Sequence, residues 1–194
     1  MATDDTAIDE IVRRLVAKRD LRGAASEAIR HLGPGVLRYL RATLRDEEDA
    51  ADAFSHVAES LWKGLPSFRW ECSLRTWALR LAVNAAANVR NAAWRRRVRR
   101  FRTGEASAIA DEVRASSIAR AAREDQGLEA LRRELSPLDQ MLLALRVDQE
   151  LSFEQIAEVL SGTEWVASAA TICKRFERLK ARLARMAQDR HLVV

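Results

Sequence analysis

Between Phe68 and Arg102 aromatic rings are set among arginines. Phe68, Arg69, Trp70, Arg75, Trp77 and Arg80 come first, and the stretch closes on six arginines in the eight residues from Arg95 to Arg102. Rings offer stacking faces to unpaired bases, and guanidinium groups follow a phosphate backbone. Stacking contributes about 1–3 kcal/mol per base, comparable with the few kcal/mol lost when a base leaves the duplex. A plainer reading stands beside this one. Trp77 lies at helical spacing with Leu74 and Leu81 and suits a core, Phe68 and Trp70 could simply cover the domain, and the arginine cluster could be a solvated helix end.

The second constellation runs from Ser136 to Leu183. Ser136-Pro137 pairs a capping hydroxyl with proline at the first helical position, and Ser152-Phe153-Glu154-Gln155 spells a capping box. A short helix to Leu160, a turn, and a last helix from near Ser168 form a helix-turn-helix layout. The last helix turns Ile172, Phe176, Leu179 and Leu183 inward and Lys174, Arg175, Arg178, Lys180, Arg182 and Arg185 outward. Such a helix fits the major groove, with Ser168, Thr171 and Lys174 reaching base edges and Arg175 and Arg178 the phosphates. Taken alone, a charged helix face is as well explained by solvation. The helix before it favours DNA.

Other candidates carry less. Asp46, Glu47, Glu48, Asp49 and Asp52 form an acidic cluster, but helical spacing scatters them around the axis, so they suit a helix start and a surface for a basic partner. Cys72 and Cys173 form no spaced pair, and His31, His56 and His191 are scattered, so no metal site is expected. No nucleophile–base pair and no phosphate-cradling glycine loop is present, so neither catalysis nor a cofactor is expected.

These side chains need helices to position them. Ile8, Ile11, Val12 and Leu15 mark a first helix. A second is expected over Leu21 to Leu32, stopped by Gly33-Pro34-Gly35, and a third from Val36 through Leu44. Asp46 to Asp49 open a fourth, with Ala50, Ala53, Phe54, Val57, Leu61 and Trp62 on its buried face and Gly64-Leu65-Pro66 at its end. After a short loop a long helix follows from about Ser73, with Leu74, Trp77, Leu81 and Ala85 on one side and Arg75, Arg80, Asn84, Asn88 and Asn91 on the other. Thr103 to Gln126 lacks aromatics, is rich in alanine and serine, and holds five acids against three arginines, which reads as a linker with some helical tendency. The expected fold is all-α: two small helical domains, residues 1–102 and 128–194, joined by a flexible linker over 103–127.

Bulk composition agrees. A 48% apolar fraction with 31% charge permits a folded core, and only three prolines and seven glycines favour helices. The net charge of +5 leans toward a polyanionic partner. The acidic start is no signal peptide and no apolar run is long enough to span a membrane, so a cytoplasmic protein without membrane insertion is expected.

A basic aromatic strip for opened strands, tethered to a duplex-reading helix, is what a transcription initiation factor requires. The residues also resemble a known family, the extracytoplasmic-function (ECF) group of bacterial RNA polymerase sigma factors in the sigma-70 family. The resemblance spans roughly Leu21 to Leu183. Ala50-Ala51-Asp52-Ala53-Phe54-Ser55-His56 ending in Leu61-Trp62 is similar to the polymerase-binding helices. Ser67-Phe68-Arg69, Ser73-Leu74-Arg75-Thr76-Trp77, Leu81-Ala82 and Asn84 are similar to the promoter-melting segment. Leu135-Ser136-Pro137, Leu151 to Ala157, and Thr171-Ile172 with Arg175 are similar to the domain that reads the minus-thirty-five element.

The resemblance implies an alternative sigma factor that binds core RNA polymerase, recognises promoter DNA and helps melt it. Sigma domain 2 would fill residues 1–102 and sigma domain 4 residues 128–194, with the linker threading the polymerase cleft. It implies polymerase binding by Asp49, Asp52, Ser55, His56, Leu61 and Trp62. Minus-ten contacts are implied for Phe68, Arg69, Trp70, Ser73, Arg75, Trp77, Arg80, Asn84, Asn88, Arg95, Arg96 and Arg97. Minus-thirty-five contacts fall to Ser168, Thr171, Lys174, Arg175 and Arg178. An anti-sigma partner and a monomeric free state are also expected. The chain departs from the family at Ser55-His56, where Gln-Glu is usual, and at Asn88 and Asn91, where Asp and Arg are common. The turn Ser161 to Ala170 is several residues longer than usual, so Gly162 to Val166 should add a small extra turn and alter upstream recognition. The alternatives are a stand-alone helix-turn-helix regulator and a helical adaptor with a basic surface for an acidic protein.

Overall fold

The computed structural model describes residues 2–89, 105–121, 131–132 and 134–189. Among these residues all regular structure is helical. Helix α1 spans Ala2–Ala17, α2 Leu21–Leu44, α3 Glu47–Gly64 and α4 Leu74–Val89; α5 spans Glu105–Ala121, α6 Pro137–Leu143, α7 Phe153–Leu160 and α8 Ala169–Asp189.

The first four helices build one lobe. On α1, Ile8 and Val12 are buried while Ile11, expected on the same face, is 42% exposed. The Asp20 carboxylate caps α2, accepting from the Gly23 N–H at 2.8 Å. Fully buried Ala24, Ala25 and Ala28 leave α2 room for its neighbours, and Ile29, Leu37, Tyr39 and Leu40 fill the centre. Asp46 caps α3 by accepting from the Asp49 N–H at 2.8 Å, and Glu47, Glu48 and Asp49 form its acidic first turn.

The stop expected at Gly33-Pro34-Gly35 does not occur: α2 runs unbroken through Pro34. An interior proline costs about 3 kcal/mol. One continuous helix offsets this by burying Leu32, Val36, Leu37, Tyr39 and Leu40 along a single face, each large apolar side chain contributing about 1.5–3 kcal/mol. Gly33 also belongs to that packing, since a Cβ there would sit 3.0 Å from Phe54 and 3.2 Å from Val113.

Val113 comes from the stretch read as a linker. Glu105–Ala121 is the helix α5, and it lies against α2 and α3 with Ala106, Ile109, Ala110 and Val113 buried. Its apolar stripe is short, two alanines with one isoleucine and one valine, which is why composition points to a connector.

The second lobe follows the sequence closely. Ser136 caps α6 and Pro137 occupies its first turn. After Leu143 the helix widens into a π-helical turn, Ala144–Asp148. The Ser152–Gln155 capping box forms in both directions at 3.2 and 2.8 Å. Ile172, Phe176 and Leu179 of α8 are buried, and Phe176 meets Phe153 edge-on with ring centroids 5.8 Å apart. The two lobes share one continuous apolar core, with α6 and its π turn against α2, and α7 against α4.

Candidate nucleic-acid interface

The aromatic segment forms a shelf. A single 3-10 turn, Leu65–Ser67, redirects the chain after α3. Phe68 then stacks on Trp77 with centroids 4.6 Å apart and planes 17° from parallel, and Trp70 meets Phe68 edge-on at 5.0 Å. Trp70 has φ 60°, a left-handed conformation unusual for a ring-bearing residue. Gly64 makes room for the shelf, since a Cβ there would lie 2.9 Å from the Trp77 ring. All three rings are only partly buried, so Trp77 is both a packing residue and a surface one. Arg69 stands at the rim with its side chain 84% exposed, 4.0 Å from Glu71.

Helix α1 supports this shelf, which the sequence did not foretell. The Arg13 guanidinium lies 4.4 Å over the Trp70 ring. The Asp9 carboxylate accepts from the Leu74 N–H at 3.1 Å, joining Ser73, whose Oγ accepts from the Thr76 N–H at 3.1 Å, in satisfying the start of α4. Both aids depend on tertiary placement of α1. Cys72 sits beside the loop, and burial, outweighing the opposing pull of Arg80, pushes its thiol pKa up.

The α4 residues Arg75, Arg80 and Asn84 form a polar row, and each donates to the second lobe. Arg75 Nη2 reaches the Gln149 carbonyl at 2.6 Å. Arg80 Nη2 reaches the Glu158 carbonyl at 2.9 Å and Ser161 Oγ at 3.1 Å. Asn84 Nδ2 reaches the Gly162 carbonyl at 3.3 Å. Asn88 is exposed one turn on. Arg95, Arg96 and Arg97 lie outside the described residues.

On α3 the six expected polymerase-facing residues separate. Asp49, Asp52, Ser55, His56 and Trp62 are partly exposed, whereas Leu61 is 2% exposed and belongs to the core, so it holds the helix in place without offering surface. Ser55 Oγ donates back to the Ala51 carbonyl at 2.9 Å. Burial lowers the His56 pKa from its ordinary 6.5, against the opposing effect of Glu59. Among the described residues no cluster of His, Cys, Asp and Glu has the makings of a metal site.

In the helix-turn-helix, Ser168 caps α8: its Oγ accepts from the Thr171 N–H at 3.3 Å and lies 2.9 Å from the Thr171 hydroxyl. Ser168, Thr171, Lys174 and Arg178 are exposed along the start of the helix. Arg175 is placed otherwise. Its Nε donates to Asp139 Oδ1 at 2.7 Å and its Nη2 to Ser136 Oγ at 3.4 Å, tying α8 to the start of α6. The turn between α7 and α8 occupies residues 161–168 and does contain added turns, held by the Thr163 N–H to the Leu160 carbonyl at 3.0 Å and the Trp165 N–H to Thr163 Oγ1 at 3.2 Å.

A shelf of rings beside a basic row, and a capped basic helix in a helix-turn-helix, are the two places in this helical protein whose residue chemistry suits nucleic acid. Comparison with known proteins sharpens this. The sigma-70 region 2 family matches residues 28–105. The ECF RNA polymerase sigma factor SigM of Mycobacterium tuberculosis, from strains Erdman and H37Rv, is 30% identical over 152 residues, covering 77% of this chain and 69% of the relative. No solved structure matches. The chain belongs to the ECF sigma factors of the sigma-70 family. It is therefore an alternative sigma factor, of a family that binds core RNA polymerase and promoter DNA, and the stand-alone regulator is not favoured. No helix among the described residues is long and apolar enough to cross a membrane.

Proposed function

We propose that residues 1–102 bind polymerase and capture the minus-ten strand, that residues 128–194 read the minus-thirty-five duplex, and that residues 103–127 connect them. Phe68, Trp70 and Trp77 take up unstacked bases. Arg69, Arg75, Arg80, Asn84 and Asn88, continuing into Arg95, Arg96 and Arg97, follow the strand, and Ser73 fixes the helix that carries them. Asp49, Asp52, Ser55, His56 and Trp62 face the polymerase, with Leu61 as their anchor. Ser168, Thr171 and Lys174 read base edges, Arg178 holds phosphate, and Arg175 orients the recognition helix. The protein works in the cytoplasm, is a monomer when free, and is held inactive by an anti-sigma partner; the polymerase performs the chemistry.

One observation carries this reading: the stacked Phe68–Trp77 pair and the Arg75–Arg80–Asn84 row begin on the same short loop and helix, within reach of one single strand. The test adds the purified protein to core polymerase on fragmented genomic DNA and sequences transcript 5′ ends. Transcripts starting at a shared upstream motif support the reading. A stand-alone regulator would bind DNA and start none, and an adaptor would do neither.

A further inference from the structure

Two residues of α1 grip the ring-bearing loop at its two ends. Asp9 and Arg13 lie one helical turn apart, so their side chains leave α1 on the same side. Each follows a buried anchor, Ile8 and Val12, which seats α1 on the lobe. The Arg13 guanidinium lies 4.4 Å over the Trp70 ring, and Asp9 Oδ1 accepts from the Leu74 N–H at 3.1 Å. Between those two points run only Glu71, Cys72 and Ser73. The segment needs such a grip. Trp70 holds φ 60°, a conformation that residues with a Cβ resist and that persists where neighbours over-determine it. Leu74 is the first residue of α4, where backbone N–H groups have no partner within the helix. Ser73 Oγ takes the Thr76 N–H, and the Asp9 carboxylate supplies a further acceptor at the positive end of the helix dipole.

We infer that Asp9 and Arg13 are positioning residues for promoter opening: α1 holds residues 70–74 in one shape before DNA arrives, so that the Trp70 ring and the start of α4 stand ready for an unstacked base. The inference rests on the reading of Phe68, Trp70 and Trp77 as the base-capturing rings. Trp70 is fixed from two directions, by Arg13 over its ring and by Phe68 meeting it edge-on. A loop that is already ordered loses little conformational freedom when it takes up a ligand, and binding strengthens accordingly. The effect belongs to strand opening, because duplex docking by the second lobe does not use this loop.

Full-length protein is assembled with core polymerase on a promoter recovered by the transcript mapping above, and permanganate reactivity of the minus-ten thymines is followed in time. Arg13→Met keeps the length and removes the charge; losing an exposed cation–π contact should slow opening about 2- to 5-fold. Asp9→Ala removes a capping acceptor and should slow it about fivefold. Arg13→Lys keeps a cation and Asp9→Asn keeps an acceptor, so both should stay within about twofold of the wild type. Closed-complex affinity should be the same throughout, and circular dichroism checks that each variant keeps its helicity. A second readout needs no DNA. In protein labelled with 5-fluorotryptophan, the fluorine line missing from Trp70→Phe is that of Trp70. It should be narrow in the wild type and in Arg13→Lys, and should shift and broaden in Arg13→Met. Opening at the wild-type rate in Arg13→Met and Asp9→Ala overturns the inference, as does equal slowing by Arg13→Lys and Asp9→Asn. Slower opening of Arg13→Met with an unmoved fluorine line also overturns it, because Arg13 would then act on the strand directly. Failure of the underlying reading looks different: Phe68→Ala and Trp70→Ala would open the promoter as fast as the wild type while the fluorine line still answers to Arg13.

Discussion

Arg175 is the residue whose expected and observed settings differ most, and the difference can be measured. If it held phosphate, Arg175→Ala would weaken duplex binding and spare the fold. In the structure its Nε meets Asp139 at 2.7 Å, with the Asp139 side chain 13% exposed and that of Arg175 41% exposed. A hydrogen bond between charged groups contributes about 1.5–3 kcal/mol, and solvent on the guanidinium side reduces this to about 1–1.5 kcal/mol. Truncation does not strand Asp139, which keeps the Ser136 hydroxyl at 2.7 Å and lies in the first turn of α6, where a carboxylate suits the helix dipole. For a chain of this length each kcal/mol moves Tm by about 2–4 °C, so Arg175→Ala should lower Tm by about 2–6 °C. Calorimetry on Arg175→Ala, Asp139→Ala and the double variant should return a coupling of about 1 kcal/mol. Lys174→Ala, one residue earlier and exposed, should leave Tm alone and reduce the slope of log affinity against log salt by about 0.9. If Arg175→Ala instead copies Lys174→Ala in slope and leaves Tm unmoved, the tie to α6 contributes nothing and Arg175 belongs to the phosphate contacts.

The same logic covers three other sites. Phe68→Ala removes the middle ring of the shelf and should cut promoter opening by about 5- to 150-fold at one stacked base, read by permanganate footprinting, with closed-complex formation unchanged. Val113→Asp puts a carboxylate against Gly33 and should undock α5, visible as new tryptic cleavage at Arg114; cleavage as slow as in the wild type would show that α5 adds nothing to the first lobe. For His56, burial favours the neutral ring, so the folded-state pKa lies below the ordinary 6.5. Above pH 6.5 both states are neutral there and folding stability is unaffected. As pH falls below 6.5 the unfolded chain takes the proton first, so stability drops until the folded-state value is passed. His56→Gln should remove that part of the acid-side decline in a urea titration, and an identical decline would assign it to other groups.

How far the sequence was legible follows from what kind of atom carries each feature. Caps and stripes are side-chain features: Ser136 and Ser152 cap the helices they are expected to cap, and Asp46 and Ser168, expected near the starts of α3 and α8, prove to cap them. The stop expected at Pro34 fails because a local rule meets a non-local gain: one continuous α2 buries Leu32, Val36, Leu37 and Leu40 together. α5 reads as a connector because two alanines, one isoleucine and one valine make a weak stripe, yet against α2, where Gly33 lets Val113 approach, a weak stripe is enough. The contact between the lobes left no trace at all. Its α4 donors, Arg75, Arg80 and Asn84, are in plain view in the sequence, but three of the four acceptors they meet are backbone carbonyls, which every residue possesses and no composition reveals.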